Sequence, residues 1–204
     1  MPDAPASETR ASAFRWRIEG HAILSPEDCI ADASGAFPPA LGDANDWARF
    51  QAALDACAAT VLARASHEAT PNAGRRLRVV MSRGHRGLTR GLEAWEWNPA
   101  DIPVPEMLAA VVPEGGRIGV PGGRAAFDLF LPWFDSFHLA RNPSCPLPGG
   151  RPVFSGLGPA RSAERALAEA GLVPGPTETL TPETGVTLTE WRRPGGPASC
   201  DGDL

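Results

Sequence analysis

Residues Arg117 to Arg141 read RIGVPGGRAAFDLFLPWFDSFHLAR, and this run decides the fold. Arg117–Val120 is short, apolar and bounded by glycines, the composition of a strand buried on both faces. Pro121-Gly122-Gly123 ends it. Ala126, Phe127, Phe130 and Leu131 then recur at helical spacing from Ala125 onward, and Pro132 stands where a short helix stops. Phe137–Ala140 returns to a strand-like run. Strand, helix, strand is the crossover unit of an α/β sheet. Its Gly-Gly corner leaves bare backbone N–H groups beside a helix N-terminus, where phosphate binds well. The same two glycines also suit a tight turn that needs positive φ and holds no ligand.

Outward from this unit, His21–Leu24, Ala59–Ala63, Leu77–Met81 and Glu93–Trp97 read as further strands, and Phe14–Ile18 alternates like the opening of another. Trp47, Phe50, Leu54 and Cys57 form a helical stripe behind the N-cap candidates Asp43 to Asp46. Asp46 shares a helix face with Phe50, so its carboxylate is either the cap of that helix or an acid set in a cleft. Val104–Val111 and Ala160–Ala170 are helical, the second closed by Gly171, and Val186–Trp191 is a last strand that enters antiparallel. Strands alternating with helices predict an α/β domain with a mostly parallel sheet over residues 14–193, between flexible tails at 1–13 and 194–204. Ligands of such sheets lie beyond the carboxyl ends of the strands. The long connection Ser25 to Gly42 has the length of a segment that covers an active site.

Composition removes several chemistries. All 19 basic residues are arginine, which excludes a lysine nucleophile or Schiff base, and tyrosine is absent as an acid or base. A net charge of -5 argues against nucleic acid as a partner. Cys29, Cys57, Cys145 and Cys200 are far apart, and His21, His67, His85 and His138 show no ligand spacing, so no metal site is expected. Neither a G-x-S-x-G elbow nor a Walker loop occurs. With no signal peptide and no apolar run near the ~20 residues of a membrane span, the expectation is a cytoplasmic, reduced monomer or homodimer, without a membrane partner.

Taken in order, these corners resemble the dihydrofolate reductase superfamily, especially its atypical bacterial members and riboflavin-pathway reductase domains, from about Gly20 to Arg192. Ile30-Ala31 stands where that family carries an Ile-Gly or Ile-Ala pair on a mobile loop. Asp46-Trp47-Ala48-Arg49-Phe50 is similar to its D-x-x-x-F helix. Ala63-Arg64-Ala65-Ser66 resembles its Gly-Arg-x-Thr/Ser strand end without the glycine, and Met81-Ser82-Arg83 its serine-arginine corner. Gly122-Gly123, Leu131-Pro132, Asp135 and Phe137–Arg141 reproduce its strand, Gly-Gly, helix, Leu-Pro and acidic-residue order.

The resemblance implies a dihydrofolate reductase-like fold: a mostly parallel central sheet flanked by helices, with an antiparallel C-terminal strand. It implies hydride transfer from NADPH to a small heterocyclic substrate, a pterin such as a dihydrofolate-like compound. Gly122, Gly123 and Arg124 would meet the pyrophosphate, Arg64, Ser66, Ser82 and Arg83 the adenosine half, and Ala31 would also lie on the cofactor side. Paired arginines at adjacent strand ends favour NADPH over NADH. Asp46 takes the place of the family's pocket carboxylate, with Asp43 in reserve, and Phe37, Phe50 and Ala140 fall on the substrate side. That side departs most from the pattern, since Ala140 stands for a threonine and Pro39 for a tryptophan. Two other readings therefore stay open. One is a reductase of a ribosylamino-pyrimidine, with Arg141 and Arg151 on the sugar phosphate, and the other an inactive nucleotide-binding protein of the same fold.

Overall fold

A computed structural model describes residues 16–72 and 74–195; Phe14, Arg15, Cys200 and both expected tails, apart from Pro194 and Gly195, lie outside the described residues. The first strand, β1 (Trp16–Leu24), runs unbroken through the two segments that the sequence separates. Gly20 is what lets it pass: a Cβ there would sit 2.3 Å from Phe137 Cδ2. Side chains alternate along it, so Ile18 and Leu24 enter the main core while Glu19 and His21 face the other side of the sheet.

The chain continues with β2 (Cys29–Ala31), α1 (Ala44–Asp55), β3 (Ala59–Ala63), α2 (Arg64–Ala69) and β4 (Arg78–Met81). Then follow β5 (Leu88–Arg90), β6 (Trp95–Trp97), α3 (Val104–Val111), β7 (Gly116–Gly122) and α4 (Arg124–Phe130). The last part holds β8 (Ser136–Arg141), β9 (Arg151–Pro152), α5 (Ala163–Glu169), β10 (Val173–Thr181) and β11 (Val186–Arg192).

Nine strands form one sheet in the order β10-β11-β8-β1-β7-β3-β4-β6-β5. The six from β8 to β6 are parallel, β10 and β11 add an antiparallel hairpin at one edge, and β5 pairs antiparallel with β6 at the other. The opening crossover unit is therefore real but not local, because β1 lies between β7 and β8 and pairs with both. The β7 strand also runs two residues past Val120, through Pro121 to Gly122, which brings the glycine corner right to the strand end.

Phe127, Phe130 and Leu167 of α4 and α5 pack with Met107 and Leu108 of α3 over Ile18, Val61, Val79, Val120 and Phe137 of the sheet. Truncating one such phenylalanine costs about 3–5 kcal/mol. Helix α1 approaches the sheet elsewhere, where Leu54 fills the gap left by Gly119; a Cβ on Gly119 would lie 2.8 Å from Leu54 Cδ2. Among the described residues no helix is long and apolar enough to cross a membrane.

The segment from Ser25 to Gly42 is tied down along most of its length. β2 pairs with β9, the Val153 N–H donates to Asp28 O at 2.9 Å, and Leu147 N–H donates to Glu27 Oε2 at 2.8 Å. Asn142 Nδ2 holds the carbonyls of Ala40 and Leu41, each at 3.1 Å. Its exposed tip, around Ser34, is shaped by Asp32 Oδ1, which accepts from Ser34 Oγ and from the N–H groups of Gly35 and Ala36.

Candidate active site

The parallel register lines up the carboxyl ends of β7, β3, β4 and β6. Leu62 pairs with Gly122, Ala63 with Met81 and Met81 with Trp97, so the corners that follow these strands stand side by side. Two of them touch. A Cβ on Gly123 would meet Ala63 Cβ at 2.4 Å and Ser66 Oγ at 3.1 Å, and the φ of 87° at Gly123 is one that other residues rarely hold. A Cβ on Gly122 would point at Ser66 Oγ, 3.5 Å away. The fold thus places the corners that carry Gly122, Gly123, Ser66, Arg64, Ser82 and Arg83 along one edge of the sheet.

The arginines differ in their freedom. Arg64 Nη2 bonds Glu96 Oε2 at 2.6 Å and lies near Glu68, so a phosphate would have to displace a carboxylate. Arg83 and Arg124 are exposed and, among the described residues, make no side-chain hydrogen bond or ion pair. Ser82 is buried, its N–H donating to Trp97 O at 2.8 Å. Ala31 ends β2, buried beside β9, and His67 lies against Arg78, with Nδ1 3.3 Å from Nη1.

Beyond the end of β1 lies an apolar cleft of about 480 Å³, lined by Ile23, Phe37, Pro39, Gly42, Asp43, Ala44, Asp46 and Trp47. Its two carboxylates have separate tasks. Asp43 is the N-cap of α1, accepting from the N–H groups of Asn45 and Asp46 and from the Thr181 hydroxyl. Asp46 does not cap, and its carboxyl makes no hydrogen bond among the described residues. Arg49, its nearest cation, is held instead by Glu178 of β10, at 2.9 and 2.5 Å. Burial, reinforced by the Asp43 charge, raises the Asp46 carboxyl to about 6 against a partial opposing pull from Arg49. A carboxyl that exchanges its proton near neutrality, facing an apolar cleft, is equipped for acid–base work.

Phe37 and Trp47 are more than half exposed at the cleft mouth, at 54% and 56%. Trp47 was expected on the buried stripe of its helix; it instead leans on Phe50, with ring centroids 5.4 Å apart, and borders the cleft. Phe50 and Ala140 sit one layer deeper. Phe50 packs edge-on against His21, and Ala140 is buried, paired with Ile23. Ile23 has no signal in the sequence beyond its place at the apolar end of a strand, whereas Trp47 is the residue next to the acid.

Neither Arg141 nor Arg151 opens into this cleft. Arg141 is clamped by Asp28 and Glu164 and donates to Ser25 O, while Arg151 donates to Ser34 O at 2.9 Å with its guanidinium packed on Gly35. Both arginines hold the Ser25–Gly42 segment in place, and Arg141 also lines a separate cavity of about 270 Å³ with Glu164, Thr177 and Trp191.

No family model matches the sequence, and no curated protein matches it. Solved structures do resemble it. A deaminase and 5-amino-6-(5-phosphoribosylamino)uracil reductase of Thermotoga maritima superposes with a TM-score of 0.63 at 15% identity, over 91% of this chain and 58% of its own. A pyrimidine reductase-like protein of Corynebacterium diphtheriae gives 0.62 at 14% identity, over 89% of this chain and 93% of its own. Dihydrofolate reductase of Enterococcus faecalis, complexed with NADP(H), gives 0.61 at 17% identity, over 89% and 98%. The chain has the dihydrofolate reductase fold.

Proposed function

We propose that this chain is an NADPH-dependent reductase of a dihydropterin whose side chain is neutral. The observation that carries the reading is the Asp46 carboxyl: unpaired, in an apolar cleft, with its proton affinity raised to about 6. NADPH supplies the hydride from its nicotinamide ring. Asp46 supplies the other half of the reaction, hydrogen-bonding the amino-pyrimidine edge of the heterocycle and favouring its protonation. Phe37 and Trp47 offer flat faces at the mouth of the cleft for a planar ring. Gly122 and Gly123 keep the β7–α4 corner clear of side chains for the pyrophosphate, and Arg83 and Arg124 are available to phosphate oxygens. β7, which ends in the glycine corner, is the neighbour of β1, whose Ile23 lines the cleft, and this strand adjacency supports a shared site.

The choice of substrate follows from charge. The cleft lining includes Asp43 and Asp46 and no cation, which disfavours an anionic tail. The rival reading, reduction of a ribosylamino-pyrimidine, is favoured by the names of two of the structural neighbours. It requires a cation for the sugar phosphate, and Arg141 and Arg151 are both engaged elsewhere.

Quenching of tryptophan fluorescence by NADPH, followed by NADPH consumption with dihydrobiopterin, dihydrofolate and a phosphorylated ribosylamino-pyrimidine in parallel, tests the reading. Saturable quenching with turnover of the neutral pterin above the other two supports it. Quenching without turnover of any compound overturns it in favour of a nucleotide-binding protein.

A further inference from the structure

On the sheet face that carries Glu19 and His21, a second polar cluster lies beneath the cleft, and the reductase reading does not use it. Glu19 and His21 stand at i and i+2 on β1, and His138 is the direct partner of His21 on β8. Although the two histidines are far apart in the sequence, their ligand atoms and a Glu19 oxygen all lie within 4.8 Å of one another. The imidazoles are stacked, with ring centroids 4.4 Å apart and planes 2° from parallel. Within this patch His21 Nε2 is buried without a hydrogen-bond partner, and so is Ser136 Oγ, on the residue paired with Glu19. Leaving such atoms unsatisfied is costly, and native structures that do so commonly hold an ion or an ordered water there.

We propose that Glu19, His21 and His138 form a binding site for a divalent first-row transition ion of the zinc type. Two imidazoles and one carboxylate are a donor set such ions accept, with a fourth position left for water. The strand geometry suits it, because residues two apart on one strand and the paired residue of the next project from one face of the sheet. Parallel rings do not yet converge on one point. Bringing the lone pairs together requires a turn about χ2, a broad torsion in histidine, which unstacks His138 from His21. Ser136 Oγ then faces a metal-held water.

Arg117 and Arg17 restrain the affinity. Arg117 grips both Glu19 oxygens, Nε 3.1 Å from Oε1 and Nη2 2.9 Å from Oε2, and Arg17 Nε lies 3.1 Å from Oε1, so an ion must displace a guanidinium N–H to reach Glu19. Two guanidinium charges beside the ion make a micromolar site the expectation. Two other donors lie close: Glu190, paired with His138 on β11, is held by Arg192 Nη2 at 2.6 Å, and the Cys57 thiol is kept protonated by burial and the Glu19 charge.

The test uses the untagged full chain after chelator treatment, titrated with Zn²⁺ by calorimetry and with Co²⁺ by visible absorption. The expected result is saturable uptake of one ion per chain, with His138→Ala weakening it by roughly 100-fold or more and Cys57→Ser leaving it unchanged. Histidine ring NMR of the wild type decides independently of any variant: the His21 and His138 signals move with Zn²⁺ and those of His67 and His85 stay. No saturable Zn²⁺ uptake up to millimolar concentration, or shifts confined to His67 and His85, would overturn the site. Neither outcome depends on NADPH or on turnover.

Discussion

Asp43 Oδ1 accepts the N–H groups of Asn45 and Asp46, each at 3.0 Å, so of the two cleft carboxylates one is committed to capping α1 and the other, Asp46, is not. Asp43 also raises the proton affinity of Asp46 by its charge. Replacing Asp43 with alanine should cost about 1–2 kcal/mol of stability through the lost cap. It should also move the pH dependence of turnover to lower pH. Urea melts and a pH–rate series on the variant check both effects, and an unmoved pH profile would detach Asp43 from the acid.

Asp46 carries a stability cost that the proposed acid role explains. Its carboxyl rises from the ordinary 3.8 to about 6 on folding, so the folded chain keeps a proton that the unfolded chain has released between those values. Stability therefore falls as pH rises through that window, by up to about 3 kcal/mol at 1.4 kcal/mol per pH unit. Asp46→Asn should abolish this slope and gain stability at pH 7 and above, while turnover drops by roughly 100-fold or more and NADPH binding stays. Denaturation at acid and neutral pH, with turnover measured beside it, tests the trade-off; a variant less stable than wild type at neutral pH contradicts it.

The two glycines of the corner should respond differently. Gly123→Ala meets Ala63 Cβ at 2.4 Å and strains a φ of 87°, so a loss of about 1–3 kcal/mol is expected. Gly122→Ala meets only Ser66 Oγ, at 3.5 Å, and should fold normally yet bind NADPH about tenfold more weakly by crowding the pyrophosphate. Thermal melts and NADPH titration of both variants separate the roles, and unchanged NADPH affinity in Gly122→Ala would remove that glycine from the cofactor site.

Arg141 joins Asp28 of the β1–β2 loop to Glu164 of α5. Arg141→Met leaves two carboxylates facing each other, and a loss of about 2–4 kcal/mol follows from breaking a partly buried network. The structural role predicts that this loss appears in denaturation while the pattern of accepted substrates stays as in wild type. A variant that selectively loses a phosphorylated substrate would return Arg141 to the site.

Much of this architecture was legible. The strand Ala59–Ala63, the helix Val104–Val111 and the Gly-Gly corner follow directly from apolar runs bounded by breakers. Four strands, β2, β5, β9 and β10, were not. β10 has the sequence VPGPTETLT, whose prolines and glycine read as a loop; it forms because an edge strand paired to β11 on one side tolerates proline. β5 is three residues long and takes its shape from β6. For the site, the Asp46–Phe50 spacing was visible, but its choice between cap and acid depended on Asp43, and both candidates lay within one turn. The Glu19–His21–His138 cluster was hidden for a topological reason, since only the insertion of β1 beside β8 brings the histidines together.

The central claim is that Asp46 is the acid of an NADPH-dependent pterin reductase, and the pH dependence of kcat/KM for NADPH-driven dihydropterin reduction tests it most directly. The account predicts activity that falls as pH rises through an apparent pKa of about 6 in the wild type, and a low, flat profile in Asp46→Asn. Equal rates and equal pH profiles in the two proteins would contradict it.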